Sequence, residues 1–367
     1  MRTVHVDFET RSACDLRKAG VHVYAEHPTT DVLCLAYAVD AEPVKVLTRD
    51  DCGSAETRKF LFRAIQSGAT FVAHNAAFEL AIWNRMMAPR FGWPRLPVEQ
   101  TRCTMTMAYA LGLPGSLENA AAAVGLVDQK DMDGRKVMMQ LARPRRIEPD
   151  GRPVWWEEPG KLERLYRYCA QDVEAERALQ SRLLPLSLAE QELWTIDQRI
   201  NDRGIRVDLA AIESAILVVE ETKQRLEQQM AITTGGWVSG CSKVKELGDW
   251  IAMRGVKTEG VAKADVVDLL ARPDLPADVR RALELRRDAA KSSTAKLKAM
   301  RAAASDDGRI RGTLQFHGAN TGRWAGRRVQ THNLPRPTMD QDDIDAVLDL
   351  LSKGEARDEE DLPDPFG

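Results

Sequence analysis

The six cysteines, Cys14, Cys34, Cys52, Cys103, Cys169 and Cys241, lie singly, with no C-x-x-C pair to suggest a zinc site or a disulfide framework. The opening MRTVHVDFET lacks the apolar core of a signal peptide. No run of about 18 apolar residues occurs that would span a membrane. These absences give the expectation of a cytoplasmic chain in a reducing compartment with no membrane partner. The six histidines show neither metal-ligand spacing nor a nucleophile relay, and there is no G-x-G-x-x-G or G-x-x-x-x-G-K-[ST] phosphate loop. No internal repeat or low-complexity tract stands out.

What is present is a chain of 367 residues, 44% apolar, too long for one ordinary hydrophobic core and therefore expected to form two domains. Its net charge of -3 hides a segregation. Residues 280–336 hold 14 basic and 4 acidic residues, whereas 340–367 hold 2 basic and 11 acidic ones. The basic stretch is either a polyanion-binding surface or a solvated helix face.

Residues 3–9 alternate Val4, Val6 and Phe8 with His5, Asp7 and Glu9, the period of a strand, so Asp7 and Glu9 share a face. Further strands are expected at 31–39, 43–47 and 69–73, with helices at 55–67, after Asn75 as N-cap, at 117–124 and at 161–184. Residues 128–159, rich in charge, Gly, Pro and Trp, read as a long loop or a partial insertion. Strands alternating with helices over the first 185 residues imply an α/β domain with a mixed sheet. The remainder reads as helical: a capping box at Ser187–Glu190, a helix capped by Asp208, a long basic helix over 278–304, and a short helix over 344–351 followed by disorder.

Three places offer carboxylates suited to a hard cation. Asp7 and Glu9 leave one face of a strand end. Glu79 stands in the first turn of a helix, where an acid is also favoured by the helix dipole alone. Tyr168 and Asp172 are an i, i+4 pair on one helix face. Together they offer an oxygen cage for two Mg²⁺ or Mn²⁺ ions about 4 Å apart, the arrangement that serves phosphodiester hydrolysis.

The order Asp7-Phe-Glu9, His74-Asn75-Ala-Ala-Phe78-Glu79 and Tyr168-Cys-Ala-Gln-Asp172 resembles the three exonuclease motifs of the DEDDy branch of DnaQ-like exonucleases, in particular those of family A DNA polymerases. The resemblance implies a ribonuclease H-like fold over 1–185 and a proofreading-type 3′-to-5′ exonuclease. In it Asp7 would bridge two metal ions, Glu9 and Asp172 would hold the water-activating one, and Tyr168 would position the nucleophile. Glu79 stands where the family has Asp. Asn75 and Phe78 match positions near the substrate 3′ end, although either could simply cap or pack its helix.

The likeness continues. Residues 192–208 are similar to the segment joining exonuclease to polymerase, and 293–335 look like the thumb-to-palm stretch, with Thr321-Gly322-Arg323 and Asn333-Leu334-Pro335 resembling the T-G-R and Q-N-I-P signatures. His332 replaces the usual Gln. Residues 186–339 are thus expected to form a mainly helical, thumb-like and partial-palm DNA-binding region, and 340–367 an acidic tail. Lys291, Arg323, His332 and Asn333 are its expected DNA contacts. No counterpart of the family's polymerase metal-binding motifs follows Pro335, so nucleotide incorporation by this chain alone is not expected. The leading expectation is a metal-dependent exonuclease acting on single-stranded 3′ ends and primer-template DNA, alone or with a separately encoded polymerase half. The alternatives are a non-catalytic DNA-binding half of a split polymerase and an exoribonuclease of the same fold.

Overall fold

The computed structural model describes residues 2–126, 131–289, 294–319, 321–334, 336 and 339–356. The chain divides into two compact units, one of Met1–Arg206 with Ala302–Asn333, the other of Val207–Arg301 with Leu334–Gly367. Among the described residues no helix is long and apolar enough to cross a membrane.

The first unit is built on five strands, β1 (Thr3–Arg11), β2 (Asp31–Val39), β3 (Lys45–Thr48), β4 (Thr70–Ala73) and β5 (Thr101–Cys103), in the order β3-β2-β1-β4-β5. β1 runs antiparallel to β2 and parallel to β4, so the sheet is mixed as the alternating pattern implies. As the middle strand β1 is covered on both faces. Val4, Val6 and Phe8 join Phe71, Trp83 and Trp93 in one core, where Trp83 meets Phe71 and Trp93 edge-on at 5.3 and 4.7 Å. The opposite face lies under the Pro159–Gln180 helix, whose Cys169 and Val173 pack on Cys34, Ala36 and Ala38 of β2. His5 and Glu176 form a buried pair at 2.6 Å between that helix and β1.

Four local readings change. Residues 128–159 are not one long loop: Met132–Leu141 is a helix, and Arg146–Ile147 pairs with Pro153–Val154. Asp131 caps this helix by accepting the Gly134 N–H and is paired with Arg164, while Val137, Met138 and Leu141 bury against Leu33 and Leu165. Charge and glycine masked that stripe. Asn75 precedes the Ala76–Ile82 helix but makes no side-chain cap; its backbone is left-handed, φ 67°, and the side chain faces outward. Ser187 accepts the Glu190 N–H, yet Glu190 bonds His317 at 3.2 Å instead of closing the capping box. The basic helix expected over 278–304 is described as Ala277–Ala289 and Ala295–Ala303, with 290–293 outside the described residues.

The second unit is helical. Asp208 caps Leu209–Thr233, and Leu226 and Met230 join Leu247, Trp250, Ile251 and Leu283 in its core. Helix Gln341–Lys353, longer than the pattern suggests, is capped by Asp340 and lays Leu350 and Leu351 against Ala211, Ala215 and Val218. Disorder is expected directly after Leu351, but the helix runs on to Lys353 and Ala356 buries in the cluster with Ala211 and Val218; 357–367 lie outside the described residues.

Candidate active site

The period of β1 brings Asp7 and Glu9 to the face beneath the Pro159–Gln180 helix, and a register shift between Glu9 and Thr10 ends the regular ladder there. Asp172 descends from that helix. One carboxylate oxygen from each of Asp7, Glu9 and Asp172 lies within 4.8 Å of the other two. Tyr168, one turn earlier, donates its hydroxyl hydrogen to Asp172.

Glu79 comes from the other side of β1 and stays outside that trio. β4 pairs with β1 only through Thr3–His5, and beyond that point the Phe8 N–H donates to the Glu79 carboxylate. Glu79 is 3% exposed, and its Oε2 is buried without a partner. His74 fixes the turn before this helix: Nε2 lies 2.9 Å from the Gly115 carbonyl and Nδ1 3.0 Å from the Thr104 hydroxyl. Burial pushes its pKa down, which keeps the ring neutral.

Burial, then the Asp172 carboxylate, push the pKa of Asp7 up to about 8. Burial pushes Asp172 up to about 6 despite the Tyr168 bond. Glu9 and Glu79 are both raised well above the carboxylate range, by burial first and then by Asp7. Among the described residues no Lys, Arg or His side chain is a principal group acting on any of the four. An assembly of buried like charges without a counter-ion fits a divalent cation bound through oxygen, which would replace the protons that otherwise neutralise it. The orphaned Glu79 oxygen fits the same donor set. Tyr168 is also raised, by burial and then by Asp172, so it is a neutral phenol near pH 7 and acts by hydrogen bonding.

Two supports escaped the sequence reading. The Cys169 thiol lies 3.3 Å from the Asp7 carbonyl and 3.4 Å from its Oδ2. Gly134 lies against the Tyr168 ring, where an added Cβ would come within 2.6 Å of Cδ2. The capping geometry of Asp131 and the 137, 138, 141 spacing were the available signals for that helix.

The second set of expected contacts disperses. Arg323 is exposed on a loop anchored by Trp324, whose Nε1–H donates to Asp197 Oδ1 at 2.7 Å. Asp197, 1% exposed, also accepts from Gln198 at 2.9 Å and Asn201 at 3.2 Å. Asn201 in turn holds Leu314, accepting its N–H and donating to its carbonyl, both at 3.0 Å. His332 lies over Gly326, and Asn333 donates to the Gln330 side chain. Lys291 lies outside the described residues.

Much of the basic stretch is spent internally, an outcome between the two readings of its charge. Arg280 donates to the Leu270 and Arg272 carbonyls, Arg286 to those of Cys241 and Val261, and Arg309 to that of Gly204. Lys298, Arg301 and Arg311 pair with Glu220, Glu213 and Asp307. Arg323, Arg327 and Arg336 remain exposed.

No family model matches the chain. Over 363 residues it is 37% identical to a protein named DNA polymerase from Bacillus phage SP02, a match covering 96% of this chain and 54% of that protein. The chain therefore spans about half the length of this curated relative. Among solved structures, the POL domain of Pol1 from M. smegmatis, in complex with DNA primer-template and dNTP, is similar in fold, with a TM-score of 0.53 and 16% identity over 91% of this chain and 52% of that one. By sequence, then, this chain is a homologue of part of a DNA polymerase.

Proposed function

We propose that the first unit is a metal-dependent 3′-to-5′ exonuclease, of the ribonuclease H-like proofreading type, acting on DNA 3′ ends. The observation that carries this reading is the convergence of the part-buried Asp7, Glu9 and Asp172 within 4.8 Å, beside Tyr168 and the unpartnered oxygen of Glu79. When bound, two Mg²⁺ or Mn²⁺ ions would activate water and stabilise the departing oxygen. Asp7, Glu9 and Asp172 would hold them, and Glu79 would complete the shell from the opposite side of β1. The Tyr168 hydroxyl, tied to Asp172, would orient the attacking water by hydrogen bonding. Asn75, just before the helix, and Phe78, in its first turn beside Glu79, would meet the terminal nucleotides.

Homology to a DNA polymerase supports DNA as the substrate, and exposed Arg323 supports contact with primer-template DNA by the 302–333 segment. Lys291, His332 and Asn333 are further proposed contacts. Incubation with 5′-labelled single-stranded DNA and Mg²⁺ tests the reading. Stepwise shortening by the unmodified chain, absent in D7A and D172A, is the expected result; no shortening by the unmodified chain overturns it. RNA of the same sequence should be cut more slowly.

A further inference from the structure

In the first unit a cavity of about 940 Å³ opens between the Ala55–Gln66 helix and the ends of β1 and β2 remote from the carboxylates. Its helical wall is one continuous face: Glu56, Lys59, Phe60, Arg63, Ala64 and the capping Ser67 recur at the three- and four-residue spacing of a helix. Arg2 just before β1, Val4 within it, Val39 at the end of β2 and Ala69 before β4 form the other wall. Val4 precedes Asp7 by three residues, about 10 Å along the strand, and packs on the opposite face of the sheet. The cavity and the carboxylate site share no residue.

The charge of this cavity is one-sided. Arg2, Lys59 and Arg63, all exposed, stand on its rim, and Glu56 is the single acid lining it. Among the described residues none of these three cations pairs with a carboxylate. Arg58 of the same helix differs, being tied to the Gly53 carbonyl at 2.7 Å. Between the cations the surface is apolar. Val4, Val39, Phe60, Ala64 and Ala69 form it, and the Phe60 ring meets that of Tyr37 at 5.2 Å. The Ser67 hydroxyl donates to the Ala64 carbonyl at 2.9 Å, so this floor offers a ligand no free side-chain donor.

These two features together select a ligand. Uncompensated guanidinium and ammonium groups attract anions. A floor without free polar side chains suits an aliphatic or aromatic side chain, whereas the polar edge of a base would lose its hydrogen bonds there. We propose that this cavity docks an acidic peptide segment of a partner protein. An apolar side chain of the segment enters between Val39, Phe60 and Ala64, and flanking Asp or Glu side chains meet Arg2, Lys59 and Arg63. The docking goes beyond the nuclease reading and stands apart from it, because it uses none of the residues assigned there.

Binding to the full chain is measured in EDTA by fluorescence anisotropy. The probe is a labelled decapeptide with Leu-Phe at its centre and Asp or Glu elsewhere; the competitors are the same peptide with Ser-Ser at its centre and a single-stranded thymidine decamer. The probe should bind, weaken as salt rises from about 50 to about 300 mM, and bind about 10-fold or more tighter than the Ser-Ser peptide. K59E/R63E, at two exposed positions, should weaken it by about 10-fold or more with unchanged thermal stability, and K59Q/R63Q, which adds no charge, should weaken it less. The proposal is overturned if the probe does not bind, if the Ser-Ser peptide binds as tightly, or if both double substitutions leave affinity unchanged. Displacement of the probe by the thymidine decamer, with the decamer's own affinity lowered in K59E/R63E, overturns it in favour of a nucleic-acid strand. Because EDTA removes the nuclease chemistry, a chain that binds the probe yet never shortens DNA would keep this docking site and lose the exonuclease.

Discussion

In the second unit, charge is settled locally. Arg281 reaches Gln229, Lys298 reaches Glu220, Arg301 reaches Glu213, and Arg280 and Arg286 cap carbonyls of neighbouring segments. In the first unit, Asp7, Glu9, Glu79 and Asp172 are gathered against one strand, and among the described residues no Lys, Arg or His side chain is a principal group acting on them. The second arrangement lowers the energy of the fold. The first raises it, since each carboxylate is desolvated next to another. Electrostatic strain that the surrounding core sustains marks the region expected to bind a ligand, whereas a high local count of charged residues does not.

The largest effect that would test this contrast is on catalysis. If the proposed exonuclease reading holds, D7N or D172N should lower kcat by about 100-fold or more, since each removes a carboxylate proposed to hold a metal ion. The metal-free protein should at the same time melt no lower than the parent, because Asp7, with a pKa pushed up to about 8, is largely protonated near pH 7 and the amide is a neutral replacement of the same shape. A large loss of Tm in D7N would break the contrast, by showing that the carboxylate is structural.

The next effect is on the anchor of the Arg323 loop. D197A leaves the Trp324, Gln198 and Asn201 donors without their shared acceptor and should cost about 1–3 kcal/mol in denaturant unfolding, more than W324F alone. A double-mutant cycle between the two should show coupling; strict additivity would mean that Asp197 does not hold the loop through Trp324.

The pH dependence sharpens the comparison. The folded pKa values of Asp7, about 8, and Asp172, about 6, stand above the usual carboxylate value. Raised folded pKa values contribute stability that is complete at low pH and lost as pH rises through the folded values, so metal-free stability should fall between pH 5 and 8. Mn²⁺ competes with those protons, and the rise in Tm it produces should be larger at pH 8 than at pH 6. An equal rise at both pH values would count against carboxylate ligation. D7N should flatten the metal-free slope.

The smallest effect belongs to the second unit. R301A breaks a half-exposed pair with Glu213 and should change stability by less than about 1 kcal/mol, with no change in the Mn²⁺-induced Tm shift. A larger loss would mean that the pairs of this unit are energetically more than a solvated balance.

Some of this was legible one residue at a time. The alternation of residues 3–9 defines a strand and puts Asp7 with Glu9; the i, i+4 spacing joins Tyr168 to Asp172; Asp208 starts a helix. These are consequences of backbone period and local hydrogen bonding, which a short window of sequence contains. Local rules failed where a side chain had a distant partner. Asn75 does not cap because the chain turns left-handed into its helix, and Glu190 leaves its capping box for His317. The 132–141 helix hid behind charge because its stripe is buried only by Leu33 and Leu165.

The sequence by itself determined which acids share a face and which residues begin helices, because those depend on geometry within a few residues. Tertiary packing alone decided that Asp172 meets Asp7 across 165 positions, that Glu79 is buried with an unpartnered oxygen, and that Trp324 finds Asp197. Desolvation and the sharing of neighbours arise only when distant segments close on one another, and they are what raise the proton affinity of four otherwise ordinary carboxylates.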